Sequence, residues 1–181
     1  MKYRLLSILI IVTFFLSCRN KNSLEYIVGQ RIGKEMAFPE NYTVINDTMN
    51  KALTDYESPI QIIYLFNGDC GFCKGSLKKW EDYIVNSAFK EYTDFIFMVY
   101  TSNEEFLKDD FQEKILFKQP VFLIDKDVFF GNNGLSDQII SSLTFLIIEN
   151  KIIAIGNPVY DNESKIIFDE MVLSYLRGEI N

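Results

Sequence analysis

The sequence contains no histidine, and it has only three cysteines and four prolines in 181 residues. Without histidine the chain cannot form a Ser-His or Cys-His catalytic pair, a histidine-ligated zinc site or an imidazole general base. It also lacks an excess of basic residues, because 18 Lys and Arg stand against 25 Asp and Glu, a formal net charge of −7. An acidic chain without a basic stripe is a poor partner for nucleic acid, so we expect no nucleic-acid binding.

The chain does contain enough apolar material, 48% of its residues, for one buried core, and its length suggests one domain. Near-continuous apolar runs of this kind are typical of strands buried on both faces of a sheet. They span residues 60–66, 95–100, 121–124 and 143–148, with a weaker strand signal at 42–45. A fifth run, 152–155, follows the fourth across a short polar turn, which predicts an antiparallel hairpin.

Helical periodicity separates several of these runs. Cys73, Leu77, Trp80 and Ile84 lie at i, i+4, i+7 and i+11, which predicts a helix whose apolar face, including Trp80, packs into the core. Weaker helical patterns occupy 103–116 and 134–142, and a stronger one occupies 162–177. Strands that alternate with helices, followed by a hairpin and a last helix, predict an α/β domain built on a covered sheet.

The N-terminus has the pattern of a targeting segment. A short positive region at residues 1–4 precedes twelve apolar residues at 5–16, too few to span a bilayer but suited to a signal-peptide core. Ser17 directly before Cys18 resembles the lipobox of bacterial lipoproteins. In that family the peptide is cut before the cysteine, which then carries acyl chains of the palmitate type. The alternative is an ordinary signal peptide or a short anchor in which Cys18 is incidental.

The lipoprotein resemblance implies three parts of the chain. Residues 1–17 would be the signal peptide, residues 18–26 the lipidated Cys18 and a polar tether, and residues 27–181 the folded domain. Several acyl chains suffice for stable attachment, so the partner implied here is a lipid bilayer. The expected location is the bacterial cell envelope, with the domain anchored to a membrane and facing the periplasm.

Cys70-Gly71-Phe72-Cys73 stands directly after the first apolar run and opens the predicted helix. The free backbone N–H groups and the dipole of a helix N-terminus stabilise a thiolate on the first cysteine, and the second lies one turn inside. The spacing also matches half of a zinc site. With no histidine, and only Cys18 as a further cysteine, we expect no metal and no cofactor. A redox-cycling pair and an idle structural disulfide both remain open.

At this point the chain resembles the thioredoxin-like superfamily, and within it the TlpA-like, AhpC/TSA-type envelope lipoproteins, over about residues 27–178. The resemblance rests on a strand followed by the CxxC motif, and on four further segments: Val28-Gly29, 95–100, 144–147 with its hairpin, and 155–158 before the last helix. It implies a thioredoxin-like α/β fold, with a central mixed sheet covered by helices on both faces and a TlpA-like insertion at about 103–140. It also implies that Cys70 is the attacking nucleophile and Cys73 the resolving cysteine.

The activity implied by the resemblance is thiol–disulfide exchange, with protein disulfides as substrates or a membrane electron donor as partner. The Gly-Phe linker and the neighbouring Asp69 give no sign of a strongly stabilised thiolate, which favours a reductase. Peroxide reduction is disfavoured because Asn67 stands where peroxiredoxins place a threonine. The alternative is a non-catalytic binding or accessory lipoprotein in which Cys70 and Cys73 form a structural disulfide.

The loop that faces the cysteines in this family carries a cis-proline, and two registers are possible here. Pro120 precedes a strand, but about sixty residues would follow it, whereas the family ends sooner. Counting back from the C-terminus places Ser142 in the proline's position, so Ser142 and Leu143 are the substrate-loop candidates. A cis bond before serine costs about 3 kcal/mol, so we expect a trans bond there.

Three more positions depart from the family pattern or bear on the thiolate. Tyr64 stands where many relatives hold a buried carboxylate, which leaves Glu81 or water as the proton acceptor for Cys73. Asp69 replaces a tryptophan, and we expect it to cap the helix that follows. Lys74 could favour a thiolate on Cys70, although a lysine in the first turn of a helix is usually solvated.

Overall fold

The computed structural model describes residues 29–46, 49–135 and 142–180. The predicted signal peptide, lipidated Cys18 and tether lie outside the described residues. The boundary of the folded domain at residue 27 also lies outside them.

Six strands of the described chain form one sheet. They are β1 (Tyr42–Val44), β2 (Ile60–Asn67), β3 (Asp94–Tyr100), β4 (Val121–Ile124), β5 (Ser142–Ile148) and β6 (Lys151–Gly156). Every predicted strand is confirmed, and its ends agree with the prediction to within one residue.

The sheet is mixed, with strand order β1-β4-β3-β2-β5-β6. Strands β2, β3 and β4 run parallel to their neighbours in that group, whereas β1, β5 and β6 are antiparallel to theirs. The predicted hairpin of β5 and β6 is confirmed. Its turn residues Glu149 and Asn150 have φ of 48° and 66°, the left-handed conformation that a tight hairpin turn demands.

Five α-helices with both ends among the described residues accompany these strands: α1 (Gly71–Gly75), α2 (Leu77–Asn86), α3 (Glu104–Glu113), α4 (Lys126–Asn132) and, after the last strand, α5 (Asn162–Leu176). The predicted helix through Cys73 and Ile84 is divided at Ser76 into α1 and α2. The helix predicted at 134–142 is wrong where the structure describes it. Gly134 has a positive φ of 56° just after α4, and Ser142 begins a strand.

Both faces of the sheet are covered. Along β2 the buried side chains alternate between two clusters, with Ile62, Tyr64 and Phe66 in one and Ile63 and Leu65 in the other. The first cluster packs against α2, α3 and α5. Its helical members include Leu77, Trp80, Leu107, Phe111, Phe168 and Val172.

The second cluster packs against α4 and the segment that precedes β2. Its members from these two regions include Met36, Leu53, Tyr56, Phe129 and Phe130. The expected α/β sheet covered on both faces is therefore confirmed, as is the burial of Trp80, whose side chain is completely inaccessible to solvent. Across the described residues, no helix combines the length and apolar character needed to cross a bilayer.

Candidate redox site

The cysteine pair lies where β2 ends and α1 begins. A disulfide joins Cys70 and Cys73, whose Cα atoms are 5.3 Å apart. Cys70 is half-buried, whereas Cys73 is fully buried and donates its backbone N–H to Cys70 Sγ at 3.2 Å. Cys70 is therefore the more exposed cysteine of the pair.

A glycine in the turn before the pair lets α3 approach it closely. A Cβ atom on Gly68 would lie 2.9 Å from Leu107 Cδ1 and 3.1 Å from Val99 Cγ2. Real side chains do not tolerate such contacts without a shift of the surrounding atoms. The turn that presents Cys70 is thus packed directly against α3.

Asp69 does not cap the helix, contrary to the prediction. The N-cap residue of α1 is Cys70 itself. The carboxylate of Asp69 instead accepts hydrogen bonds from the Thr101 hydroxyl and, at 2.9 Å, from the Ser102 backbone N–H. Partial burial acts to raise the pKa of Asp69, but the hydrogen bonds from Thr101 and Ser102, together with the charge of Lys74, hold the pKa below its usual value. Asp69 therefore ties the cysteine turn to the β3–α3 loop and places a negative charge next to Cys70.

The position of Lys74 in the first turn of the helix predicts a solvated side chain, but the structure places it in an ion pair. Its ammonium group forms an ion pair with the carboxylate of Asp110 on α3, and both side chains are largely buried. Lys114 contacts the other oxygen of the same carboxylate at 2.9 Å. The hydrogen bonds from Lys74 and then Lys114 lower the pKa of Asp110. Much of the positive charge that Lys74 could offer to Cys70 is therefore balanced by Asp110.

A chain of buried hydroxyl groups lies beside Cys73. The Ser76 hydroxyl donates to the Cys73 carbonyl oxygen at 2.6 Å, and the Tyr64 hydroxyl lies 2.7 Å from the Ser76 oxygen. Either hydroxyl can donate in this pair, and the Tyr64 hydroxyl also lies 3.5 Å from the Cys73 carbonyl oxygen, to which it can donate. Burial raises the pKa of Tyr64, with hydrogen bonds to Ser76 and Ser142 acting in the opposite direction. At neutral pH Tyr64 thus orients the backbone at Cys73 but is no base for its proton.

The structure places Ser142 beside the strand that carries the cysteines. Ser142 begins β5 and pairs with Phe66 of β2, and the next residue, Leu143, pairs with Leu65. Pro120 instead precedes β4, which is separated from β2 by β3. The bond before Ser142 involves a residue outside the described part of the chain. The roles of Ser142 and Leu143 in substrate binding stay predictions.

Glu81, the candidate proton acceptor for Cys73, accepts a hydrogen bond from another part of the chain. Its carboxylate accepts the backbone N–H of Lys118 at 3.1 Å and so connects α2 with the loop before β4. Asp110 and Ser76 were not predicted as residues of the site, although the sequence carries a signal for each. Asp110 lies between Leu107 and Phe111 on the buried face of α3, and Ser76 falls on the same buried helical face as Cys73, Leu77 and Trp80. A polar residue on an apolar helix face calls for a partner.

Exposed aromatic residues flank the pair. Phe72, between the two cysteines, is 66% exposed and stacks on Tyr160, with ring centroids 4.7 Å apart. The Lys79 ammonium group lies 3.8 Å from the centre of the Tyr160 ring. On the other side, Phe106 of α3 is also exposed and lies near Lys74.

Known proteins resemble this chain in structure rather than in sequence. No protein-family model matches the sequence, and no curated protein matches it either. Among solved structures, a thioredoxin-related protein from Neisseria meningitidis serogroup B superposes with a TM-score of 0.51 at 10% identity, covering 74% of this chain and 99% of that one.

Two further solved structures match similarly. The exposed lipoprotein thioredoxin of Streptococcus pneumoniae gives a TM-score of 0.52 at 11% identity, with 72% of this chain and 99% of that one covered. A protein from Chlorobium tepidum, described as a candidate thiol:disulfide interchange protein DsbE, gives 0.52 at 12% identity, with 79% and 96% covered. These similarities show that the chain has the thioredoxin-like fold expected from its sequence.

Proposed function

We propose that this thioredoxin-like chain is a membrane-tethered thiol–disulfide oxidoreductase of the bacterial cell envelope that acts as a reductase. One observation carries the proposal: a half-buried cysteine at the start of a helix is disulfide-bonded to a fully buried one a single turn later. A structural crosslink gains nothing from an accessible sulfur, whereas an exchange reaction requires one. The names of the similar structures, an interchange protein and an exposed lipoprotein thioredoxin, agree with it.

The reaction transfers two electrons from the dithiol to a substrate disulfide. The Cys70 thiolate attacks one substrate sulfur, forms a mixed disulfide and releases the other substrate sulfur as a thiolate. The leaving substrate thiolate takes the proton of the Cys73 thiol, because Tyr64 stands at the position from which a carboxylate could otherwise accept it. Cys73 then attacks Cys70 Sγ, which closes the disulfide and frees the second substrate thiolate. A dithiol of a membrane electron donor reduces the pair again.

The direction follows from the charges around Cys70. A strong oxidant needs a stabilised thiolate in its reduced form. Here the carboxylate of Asp69 is adjacent, and the charge of Lys74 is balanced by Asp110. Both features disfavour the thiolate and so lower the reduction potential, which supports a reductase.

Ser142 and Leu143 are the residues that we assign to substrate binding. Their strand lies next to β2, and a substrate chain that reaches Cys70 would pass the N-terminal end of that strand. Ser142 also acts to lower the pKa of Tyr64, which places this position close to the hydroxyl chain at Cys73.

The membrane tether makes a prediction about Cys18. Replacing Cys18 by alanine is expected to move the protein from the membrane fraction to the soluble fraction, because the acyl chains would have no attachment site. Cell fractionation with immunoblotting measures this, and mass spectrometry of the N-terminal peptide shows whether acyl chains are present. Cys70→Ala is the control and should stay with the membrane. Equal membrane association of the Cys18→Ala variant would contradict lipidation at this residue.

The second candidate function is an accessory lipoprotein with a structural disulfide, and Tyr64 favours it, because no base lies in the place of the buried carboxylate. The reduction potential separates the two candidates. It is measured on the full chain carrying Cys18→Ala, equilibrated with glutathione or dithiothreitol buffers so that only the pair titrates. We expect a value toward the lower end of the range from about −120 to −270 mV. A value below about −300 mV with slow exchange would contradict the oxidoreductase and support the accessory role.

A further inference from the structure

We propose that a groove beside Cys70, between α1–α2 and the C-terminal end of α3, binds an acidic, apolar segment of a protein substrate next to its reactive cysteine. This inference rests on the proposed function and specifies its substrate class. The groove, called here the α3 groove, has a volume of about 600 Å³. Its lining includes Gly71, Lys74, Gly75, Lys78, Ile115 and Leu116.

The α3 groove begins where a substrate would be held. Its first lining residue, Gly71, directly follows Cys70, so the residues next to a substrate cysteine bonded to Cys70 can enter it. The volume falls within the range of sites that hold a few side chains. None of the β5 residues lines it, so the groove is separate from the substrate-loop candidates Ser142 and Leu143.

The wall of the groove formed by α1 carries two glycines and therefore leaves space unfilled. Gly71 and Gly75 lie four residues apart and so share one helix face, and a Cβ atom on either would meet no atom within 4 Å. On the opposite wall, Leu116 is 94% exposed next to the half-buried Ile115. Two missing side chains on one wall and exposed aliphatic groups on the other leave room for an apolar side chain of another molecule.

The charged side chains that line the α3 groove favour an acidic substrate segment. Three lysines line the groove, at 74, 78 and 114, against two carboxylates, and this lies within a chain of net charge −7. Asp110 is shared by two of the lysines. Lys78 is exposed and has no ion-pair partner among the residues that the structure describes. Its ammonium group is therefore available to a carboxylate that follows the apolar side chain.

Two synthetic peptides test the inference. Each contains leucine beside a cysteine capped by glutathione as a mixed disulfide, and they differ only in carrying two glutamates or two lysines. The rate of reduction by the reduced full-length protein is divided by the rate with the small neutral disulfide of 2-mercaptoethanol, so that changes at the cysteines themselves cancel. We expect the acidic peptide to react roughly fivefold faster than the basic one, and Lys78→Gln to remove most of that preference.

Filling the groove gives the second measurement. Gly75→Gln should lower the normalised rate of the acidic peptide at least about tenfold, because its side chain occupies the space of the substrate's apolar group. It should not unfold the protein, since glutamine favours a helix over glycine, and thermal unfolding checks this. Gly131→Gln is the matched control: this glycine of α4 also has nothing within 4 Å of a Cβ position. Lys151→Gln on β6 is the control for the loss of a lysine.

The outcomes are distinct. Equal normalised rates for the two peptides, or a Gly75→Gln variant that behaves like Gly131→Gln, would overturn the α3 groove while leaving the oxidoreductase intact. A wild-type protein that reduces neither peptide nor the small disulfide would overturn the proposed function and the groove with it. A faster reaction with the basic peptide would assign the opposite charge to the substrate and also overturn the inference.

Discussion

Replacing Cys73 by serine is expected to stop turnover and to leave Cys70 as a mixed disulfide with its substrates. In the reaction proposed above, Cys73 supplies the sulfur that attacks that intermediate, and its backbone N–H already contacts Cys70 Sγ at 3.2 Å. Without it, the half-buried Cys70 can still attack a substrate disulfide, but the product stays covalently bound. Non-reducing gels of cells that produce the variant should show adducts that dithiothreitol removes, and mass spectrometry would identify the proteins attached.

The control is Cys70→Ser, in which the remaining thiol of Cys73 is fully buried and should form no adducts. Both variants also carry Cys18→Ala, so that no other thiol is present in the chain. Adducts in Cys70→Ser but not in Cys73→Ser would mean that the two cysteines have exchanged roles. Their absence from both variants would favour the accessory lipoprotein.

The central strands β2, β3 and β5 were predictable because they are buried on both faces. A central strand such as β2 has no solvent-facing side, so Ile60–Asn67 is a near-continuous apolar run, interrupted only by Gln61 and ended by Asn67. Helix α4 was not predictable in the same way. It has only seven residues, fewer than the stretch that a helical period needs to stand out, and its start is marked by one cap, the Asp125 side chain bonded to the Val128 N–H.

The candidate site was predictable only as far as its chemistry is local. The spacing of Cys70 and Cys73, and their place between a strand and a helix, can be read from the sequence. The partners of Asp69 and Lys74 cannot be read from the sequence. Asp69 accepts hydrogen bonds from the β3–α3 loop and Lys74 pairs with Asp110, and the fold brings these partners close from more than thirty residues away. Local propensity favoured a cap and a solvated lysine, and tertiary packing overrode both.

Asp110→Asn is expected to raise the reduction potential of the cysteine pair. The carboxylate balances the charge of Lys74, which lies one helical turn after Cys70. The backbone N–H of Lys74 donates to the Cys70 carbonyl oxygen at 3.1 Å. Removing the negative charge leaves the lysine free to stabilise the Cys70 thiolate, which favours the reduced form. An upward shift on the order of 10–30 mV is expected, corresponding to roughly 0.5–1.4 kcal/mol. Equilibration with glutathione buffers measures it.

The same substitution should also lower the free energy of unfolding. Two lysine side chains cover the carboxylate, and the lost charged hydrogen bonds correspond to about 1–2 kcal/mol. Because Lys74 and Lys114 lower the pKa of Asp110 in the folded protein, its contribution is complete above the unfolded value of about 3.9 and is lost as the pH falls through the folded value. The difference in stability between wild type and Asp110→Asn should therefore shrink in acid, as denaturant titrations at pH 7 and pH 3 would show.

Two lysine variants separate the electrostatic explanation from a general loss of structure. Lys74→Met removes the positive charge near Cys70 and should move the potential downward, opposite to Asp110→Asn. Lys114→Gln removes the solvent-exposed partner of the same carboxylate and should leave the potential nearly unchanged, because its charge lies on the far end of α3. If all three variants shift the potential in one direction, the shift reports a disturbed α1–α3 contact, and the charges of Lys74 and Asp110 do not set the redox properties of the pair.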